Sequence, residues 1–219
     1  MKTLYKTKSW KSFLSDSILS KPFIGISCNC EDKNILALKS KEDYVKWFCQ
    51  NPGKDGEPYR DKQFYSRELT ILSNLFKPKN ILEIGTDKGL GTFMLSRLNP
   101  EAEVTTIDPS SYAYTPDNNK VEIGWFAKLN NIDANYIQGE SQDQEPDFFK
   151  DFDFVFVDGD HSYLAVYNDL KNTSNSKIRI VHDYQEVGTK QAIKKYMSES
   201  TGHVFFKNED SNTIWIQRR

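Results

Sequence analysis

The sequence predicts an α/β fold in which a doubly wound, mostly parallel, seven-stranded Rossmann-like sheet is covered by helices. Two features carry this prediction. From about residue 81 onward, short β-rich segments alternate with helical patterns. At residues 80–91, the segment NILEIGTDKGLG runs from a buried strand through a glycine turn into a helix. Such a unit holds a nucleoside-like ligand at the carboxyl ends of its strands.

The predicted strands, in chain order, are ILEIG, VTTID, ANYIQ, FDFVFVD, KIRIVHD, HVFFKN and NTIWIQ. Helices are predicted at residues 61–76, 89–98, 118–130, 146–150, 162–171 and 188–198. The last two strands are separated by the turn-rich segment NEDSN at residues 208–212, which indicates a hairpin. We therefore expect the sheet to end in an antiparallel edge strand.

The first 60 residues differ from the rest, because they are rich in aromatic residues and lack strand-helix alternation. They are interrupted by NPGKDGEP at residues 51–58. We predict that residues 1–60 form an appendage or lid over the carboxyl ends of the strands, and that residues 61–219 form the ligand-binding domain.

Composition restricts the partners of the chain. Lys and Arg number 29 against 31 Asp and Glu, so the net charge is -2 and no basic excess is available for nucleic acid. The three cysteines, Cys28, Cys30 and Cys49, form no C-x-x-C pair, which argues against a disulfide framework or a zinc site. No apolar run approaches the roughly 18 residues of a membrane span, and no signal-peptide pattern opens the chain. We expect a cytoplasmic protein without a membrane partner.

The glycine turn has the spacing G-x-x-x-G-x-G rather than the dinucleotide fingerprint G-x-G-x-x-G. Glu83 and Asp87 flank this turn, and their carboxylates would oppose a pyrophosphate but suit a cationic ligand. S-adenosylmethionine carries a sulfonium and an ammonium, and Asp108 after the next strand is placed to bind ribose hydroxyls. The sequence therefore favours S-adenosylmethionine over NAD, although any Rossmann-like strand could need such a turn for packing alone.

Polar residues also follow the later strands, where a parallel sheet binds its ligands. They are Gly139, Glu140 and Ser141 after ANYIQ, Asp158 to Tyr163 after FVFV, and His182, Asp183 and Tyr184 after IRIV. A different explanation stays open for some of them, because Ser141, Asp160 and Ser162 are favoured helix N-caps. Asp158 and Asp183 could likewise serve a cap or a turn.

Taken in this order, the motifs resemble those of class I S-adenosylmethionine-dependent O-methyltransferases. The chain is most similar to the metal-dependent group that contains catechol O-methyltransferase and the sugar O-methyltransferases of macrolide biosynthesis. The resemblance covers residues 63–219 and rests on LEIGTDKGLGT, Asp108, GESQD, VFVDGDHSY, and VHDY followed by Gly188-Thr189-Lys190. It implies that residues 61–219 are an S-adenosylmethionine-binding methyltransferase domain. A homo-oligomer is a possible state of the protein, and the sequence does not decide it.

The resemblance also implies roles for individual residues. Those expected to bind the cofactor are Glu83, Gly85, Thr86 and Gly89 at the methionine part, Asp108 at the ribose, and Gly139, Glu140 and Ser141 at the adenine. Asp158 is expected near the methionine end, where it would also ligate a divalent cation together with His182 and Asp183. A histidine at position 182 departs from the usual carboxylate. It could be non-ligating, or it could shift the preference from Mg²⁺ toward Mn²⁺, Zn²⁺ or another transition ion.

His161 lies three residues after Asp158, where the catechol enzymes carry a lysine. A histidine titrates near neutral pH, so we predict that His161 takes the proton of the substrate hydroxyl. The alternative is a structural histidine that caps the following helix or pairs with Asp160.

These observations predict a divalent-metal-assisted O-methyltransferase for a small hydroxylated molecule, such as a sugar or another natural-product-like acceptor. Two alternatives stay open: a cephalosporin-hydroxylase-like metal enzyme on the same scaffold, and a non-catalytic adenosyl-binding or partner-docking protein. Amino-group methylation of nucleic-acid bases is disfavoured, because VDGDHSY stands where an N/D-P-P-Y/F motif would be needed. The aromatic residues expected to contact the acceptor are Trp10, Phe13, Phe23, Tyr44, Trp47, Phe48, Tyr112 and Tyr114.

Overall fold

The computed structural model describes residues 8–9, 69, 72–73, 76–114, 120–207 and 212–218. Apart from residues 8–9, the predictions for the first 60 residues, including the lid and its six aromatic residues, lie outside this part of the chain. Of the helix predicted at residues 61–76, the described residues Leu69, Leu72, Ser73 and Phe76 are helical. The boundary between appendage and domain stays a prediction.

All seven predicted strands are present. The strands of the main sheet are β1 (Lys8–Ser9), β2 (Asn80–Ile84), β3 (Glu103–Asp108), β6 (Asn135–Gln138), β7 (Phe154–Val157), β8 (Ile178–Val181), β9 (His203–Lys207) and β10 (Ile214–Arg218). Two further strands, β4 (Tyr112–Tyr114) and β5 (Lys120–Glu122), form a separate hairpin. The two-residue strand β1 was not predicted; it pairs in parallel with β9.

The order of strands in the sheet is β1-β9-β10-β8-β7-β2-β3-β6. β2 pairs in parallel with β3 on one side and with β7 on the other. The strands that follow β2 are therefore added first on one side of it and later on the other, which makes the space between β2 and β7 the switch point of the sheet. Ligands bind at such a switch point, beyond the carboxyl ends of the strands. The predicted antiparallel edge is confirmed: β10 runs antiparallel to both β8 and β9 and lies between them.

The helices that cover the sheet are α1 (Leu90–Leu98), α2 (Trp125–Leu129), α3 (Tyr163–Asn172) and α4 (Val187–Glu199). Short 3₁₀ turns occupy Ser141–Asp143 and Pro146–Asp151. The helix predicted at residues 118–130 is wrong in its first half, because residues 120–122 are strand β5 and α2 begins only at Trp125. Gly124 in the left-handed conformation (φ 73) separates the two, and Lys120 is held over the ring of Tyr112, 3.8 Å from its centroid.

Two hydrophobic layers enclose the sheet, because both faces of its central strands are buried. On β2, Ile81 packs in the layer that contains Phe93 of α1. Leu82, its neighbour, packs in the opposite layer with Val166 of α3 and Ile193 of α4. Because both faces of the central strands are buried, their sequences are mostly apolar without alternation. Within the described residues, every helix is too short or too polar to cross a membrane.

Candidate functional site

Two glycines of the turn after β2 are required by neighbouring backbone. Gly85 has a left-handed φ of 100, and a Cβ there would stand 2.3 Å from the carbonyl oxygen of Asp158. Gly89 precedes α1 with φ 85, and its Cβ would stand 2.7 Å from the Cα of Gly124. The turn therefore lies close against the end of β7 and the start of α2. These contacts account for the two glycines without a ligand, so the glycines alone do not indicate one.

Glu83 belongs to a buried polar network on the α1 side of the sheet. Its carboxylate is 1% exposed and accepts hydrogen bonds from the Thr92 hydroxyl at 2.5 Å and the Thr106 hydroxyl at 2.7 Å. The Thr106 hydroxyl in turn lies 2.5 Å from the hydroxyl of Thr86 in the glycine turn. Burial raises the pKa of Glu83 to about 8, against the effect of the two threonine hydrogen bonds. Glu83 thus ties the turn to α1 and β3 from within the interior.

Asp108, at the end of β3, links that strand to the glycine turn. Its Oδ2 accepts the backbone N–H groups of Thr86 and Asp87, each at 3.0 Å, and its Oδ1 accepts that of Ser110 at 2.9 Å. An ionised carboxylate offers about four lone-pair sites, so the three backbone donors leave capacity for a further donor. A ribose hydroxyl could use it.

A cleft of about 400 Å³ lies at the carboxyl ends of β2, β3, β6 and β7. The predicted site residues that line it are Gly85, Asp108, Gly139, Glu140, Ser141 and Asp158. Glu83 and Gly89 do not line it, and Thr86 lines a neighbouring cavity of about 240 Å³ that shares Asp108. The ligand-binding roles of all these residues stay predictions. Glu83 lies beneath the glycine turn and contacts threonines there rather than the cleft.

Among the described residues, six carboxylates line this cleft, and no lysine, arginine or histidine does. They are Asp87, Asp108, Glu140, Asp158, Asp160 and Asp169. A cleft of this composition opposes phosphate groups and favours a ligand that carries positive charge.

Asp169 on α3 was missed by the sequence analysis. Its side chain is 1% exposed and accepts the Ser141 hydroxyl at 2.5 Å, so it holds the turn that follows β6 against α3. Burial raises its pKa to about 6. The Ser141 hydroxyl is therefore engaged with α3 rather than capping its own turn. In the sequence, Asp169 stands out as a single carboxylate on an otherwise apolar helix face, between Val166 and Leu170. A buried carboxylate in such a place needs a polar partner, and this could have pointed to it.

The capping explanation is confirmed for Ser162 but not for Asp160, which instead binds Ser162. Ser162 is the N-cap, and its hydroxyl accepts the N–H of Ala165 at 3.3 Å. Asp160 accepts both the N–H and the hydroxyl of Ser162, each at 2.9 Å.

The second centre of the site is a cluster of two aspartates and two histidines beside the cleft. β7 and β8 pair in parallel, with Val157 opposite Val181 at their carboxyl ends. Asp158 and His182, the next residue of each strand, are therefore neighbours. The Nδ1 of His182 lies 2.9 Å from Oδ1 of Asp158 and 3.3 Å from Oδ2 of Asp183. Candidate ligand atoms of these three residues all lie within 4.8 Å of one another. The geometry thus brings together the three residues predicted to hold a cation.

His161 reaches the same cluster from the turn between β7 and α3. Its Nε2 lies 3.2 Å from Oδ2 of Asp183 and 3.8 Å from Oδ1 of Asp158. The nearby carboxylates raise the pKa of His161, that of Asp158 contributing most and that of Asp183 adding to it. Burial works against the charged form of His182, yet its hydrogen bonds to Asp158 and Asp183 raise its pKa to about 10. Burial also opposes ionisation of Asp158, but the two histidines hold its pKa below the usual range.

Asn212, just before β10, was also missed, and it clamps the loop that carries Asp183. Its side-chain amide donates to Oδ1 of Asp183 at 2.6 Å and accepts the N–H of Gln185 at 2.6 Å. Its carbonyl oxygen accepts the N–H of Tyr184 at 2.9 Å. Asp183 itself has a left-handed φ of 51. With Oδ1 held by Asn212, Oδ2 faces the two histidines.

Tyr112 and Tyr114 lie on the β4–β5 hairpin, where they are 42% and 49% exposed. Neither lines the cleft. Their predicted contact with an acceptor stays a prediction.

Residues 82–178 match the family model described as a methyltransferase domain. No curated protein sequence matches the chain. Among solved structures, an O-methyltransferase from Bacillus cereus in complex with SAH is similar at 15% identity, with a TM-score of 0.55, over 95% of this chain and 96% of that chain.

Two further solved structures are similar to this chain over a smaller part of its length. SAH-bound methyltransferase PaMTH1 from Podospora anserina matches at 17% identity and a TM-score of 0.53, over 81% of this chain and 87% of that chain. The O-methyltransferase TomG from Streptomyces achromogenes, in complex with SAM, matches at 14% identity and a TM-score of 0.53, over 71% and 80% of the two chains. At such identities the likeness shows the fold. Residues 82–178, fewer than half of the chain, are thus similar to a methyltransferase domain.

Proposed function

We propose that this protein is an S-adenosylmethionine-dependent O-methyltransferase that acts on a small hydroxylated molecule with the help of a divalent cation. One observation carries the proposal. Asp158 lines the acidic cleft and is also a member of the Asp158, His182 and Asp183 group. The cleft and the candidate cation site are thus contiguous, as an enzyme that brings a methyl donor and an acceptor hydroxyl together requires.

The chain offers distinct groups to each part of the cofactor. Asp108 accepts ribose hydroxyls, and the turn from Gly139 to Ser141 borders the adenine, with Asp169 holding that turn in place. Asp158 and the glycine turn face the sulfonium end. The six carboxylates that line this cleft within the described part of the chain support a cationic cofactor over a dinucleotide.

The residues beside the cleft fit a divalent cation, because they present two carboxylates and an imidazole, all ligands for divalent ions, from adjacent strand ends. Asp158, His182 and Asp183 would hold it. When bound, such an ion lowers the pKa of a coordinated hydroxyl and orients it. Asn212 fixes one oxygen of Asp183 and leaves the other for this purpose.

The acceptor class is proposed from two of the similar solved structures. TomG is described as involved in tomaymycin synthesis, and another similar structure is named a putative caffeoyl-CoA O-methyltransferase from Staphylococcus aureus, matched at 18% identity and a TM-score of 0.50 over 70% of this chain and 83% of that chain. A sugar or another natural-product-like alcohol or phenol is the class to test first.

The cofactor test is calorimetry on the full-length chain with S-adenosylhomocysteine and, separately, NAD. We expect binding of the first and none of the second. Asp108→Asn should weaken S-adenosylhomocysteine by about ten-fold or more, since a hydrogen bond to a charged group contributes roughly 1.5–3 kcal/mol. The exposed Asp133→Asn is the matched control. Because Asp108 also holds the turn, adenosine and 2′,3′-dideoxyadenosine should be compared. If the variant loses affinity for adenosine but not for 2′,3′-dideoxyadenosine, Asp108 contacts the ribose hydroxyls directly.

Transfer of labelled methyl from S-adenosylmethionine to a panel of sugars, catechols and phenols then tests the reaction. Binding of NAD without the adenosyl ligand would overturn the proposal. Cofactor binding without transfer to any hydroxylated acceptor would favour the binding-protein or the hydroxylase-like alternative.

A further inference from the structure

We propose that Arg179 is the centre of a binding site for a small monovalent anion, such as chloride, between the sheet and helices α3 and α4. The site lies toward the amino ends of β8 and β9, at the opposite end of the sheet from the acidic cleft. It is independent of the proposed function, because Arg179 neither lines the cleft nor belongs to the candidate cation group.

The guanidinium of Arg179 is fully buried, and only one of its nitrogens is paired. Arg179 is 0% exposed, and its Nη1 donates to the carbonyl oxygen of Leu170 at 3.0 Å and to the hydroxyl of Tyr196 at 2.9 Å. Nε and Nη2 are also buried, and neither finds a hydrogen-bond partner among the described residues. These two nitrogens share one edge of the planar group, the fork with which arginine binds anions. The unpaired donors therefore point in one direction.

A buried positive charge needs a counter-charge, because buried ions in proteins are normally paired. Within the described part of the chain, no carboxylate forms an ion pair with Arg179, and the charged or polar groups that act on it are Tyr196 and a second arginine, Arg218. The Leu170 carbonyl belongs to the last turn of α3, so it offers only the partial negative charge of a helix end. An anion at the free edge of the guanidinium would supply the missing charge.

The strand register places two more basic residues on the same face of the sheet as Arg179. Ile216 of β10 pairs with Arg179 of β8, and Arg218, two residues later on β10, pairs with His203 of β9. Residues two apart on a strand, and their partners across the sheet, share a face. Arg179, Arg218 and His203 therefore occupy one face, near one end of the sheet.

The loop before β8 adds a further buried donor to this region. The hydroxyl of Ser176 is buried and has no partner among the described residues, and the carbonyl oxygen of Ser174, in the same loop, lies 3.3 Å from Nε2 of His203. Burial and then the charge of Arg179 lower the pKa of His203, and Arg218 acts in the same direction. The field here is thus positive, and it favours an anion over a neutral ligand. Close packing between the sheet and the helices suits an ion of the size of chloride.

The test follows thermal unfolding of the full-length chain while chloride replaces gluconate at constant ionic strength. A tenfold excess of chloride over its dissociation constant should raise the Tm of wild type by roughly 3–6 °C, because the ion binds the folded state alone. Arg179→Met removes the fork and should abolish this dependence. Arg179→Lys keeps the charge without the fork and should weaken chloride by about ten-fold or more. Arg97→Met is the matched control, because Arg97 lies over Phe93 on the other face of the sheet.

A second measurement needs no variant. Crystals of wild-type protein soaked in bromide should give an anomalous peak within hydrogen-bond distance of Nε and Nη2 of Arg179. A Tm that does not respond to chloride, or that responds equally in wild type and Arg179→Met, would overturn the inference and show that the α3 carbonyl and Tyr196 suffice for Arg179. If neither Arg179 variant folds, a bromide map without a peak at the fork overturns it. Each of these outcomes leaves the cofactor and methyl-transfer experiments unaffected.

Discussion

Neutralising Glu83 should change how the stability of the protein depends on pH. The carboxyl group is 1% exposed, and burial raises its pKa from 4.5 to about 8 in the folded chain. The folded state therefore favours the protonated form. The stability that this group contributes is fully present below pH 4.5 and is lost as the pH rises through 8.

The pKa of Glu83 rises by about 3.5 between the unfolded and the folded chain, and a difference of one in pKa corresponds to about 1.36 kcal/mol, so the upper limit of this loss is roughly 5 kcal/mol. Glu83→Gln is neutral at every pH and keeps an oxygen that can accept from Thr92 or Thr106. We therefore expect the free energy of unfolding of the variant, minus that of wild type, to rise by roughly 3–5 kcal/mol between pH 5 and pH 8.5.

The assay is urea denaturation of both proteins at several pH values, with the exposed Glu101→Gln as the matched control. Taking the difference between variant and wild type cancels the other titrating groups. A difference that stays flat across this range, or that falls with pH, would refute the reasoning, because it would mean that Glu83 is ionised in the folded protein.

Three further predictions concern the groups that hold the site. Ser162→Ala removes the N-cap of α3 and should lower the free energy of unfolding by about 1 kcal/mol, whereas Ser162→Thr, which keeps the hydroxyl, should largely preserve it. Denaturation curves decide this, and an Ala variant as stable as wild type would contradict it. Ser141→Ala leaves the buried Asp169 without its hydroxyl donor, so we expect a loss of about 1–3 kcal/mol together with weaker binding of S-adenosylhomocysteine in calorimetry. Unchanged affinity would show that the turn after β6 does not contact the cofactor. Asn212→Ala releases the loop of Asp183 and should weaken metal binding by about 10–100-fold while leaving cofactor affinity nearly intact. Equal metal affinity in the variant would exclude a positioning role for Asn212.

Seven strands of the main sheet and most of the polar residues at its carboxyl edge could be predicted from the sequence alone. Buried parallel strands need continuous apolar runs, and these runs, alternating with helical patterns, identified all seven predicted strands. Because the carboxyl ends of parallel strands share one edge, the order of the motifs was enough to bring Asp108, Asp158 and His182 to that edge. The start of α2 was misplaced, because the β4–β5 hairpin depends on a cross-strand contact between Tyr112 and Lys120 that no local pattern displays.

The directions and contacts of the polar side chains could not be predicted from the sequence, because they depend on how distant segments pack. Glu83 alternates with apolar neighbours on β2, so its carboxylate enters the layer beneath α1 rather than the cleft. Asp169 and Asn212 reach the site from sequence distances of 28 and 29 residues, and such contacts follow from helix packing and strand pairing rather than from spacing. The same holds for His161, whose meeting with Asp183 requires that β7 and β8 lie side by side. The pattern of residues along the chain predicts on which face of the sheet, and at which end of a strand, a residue lies. Which polar atoms then come into contact depends on how the strands and helices pack.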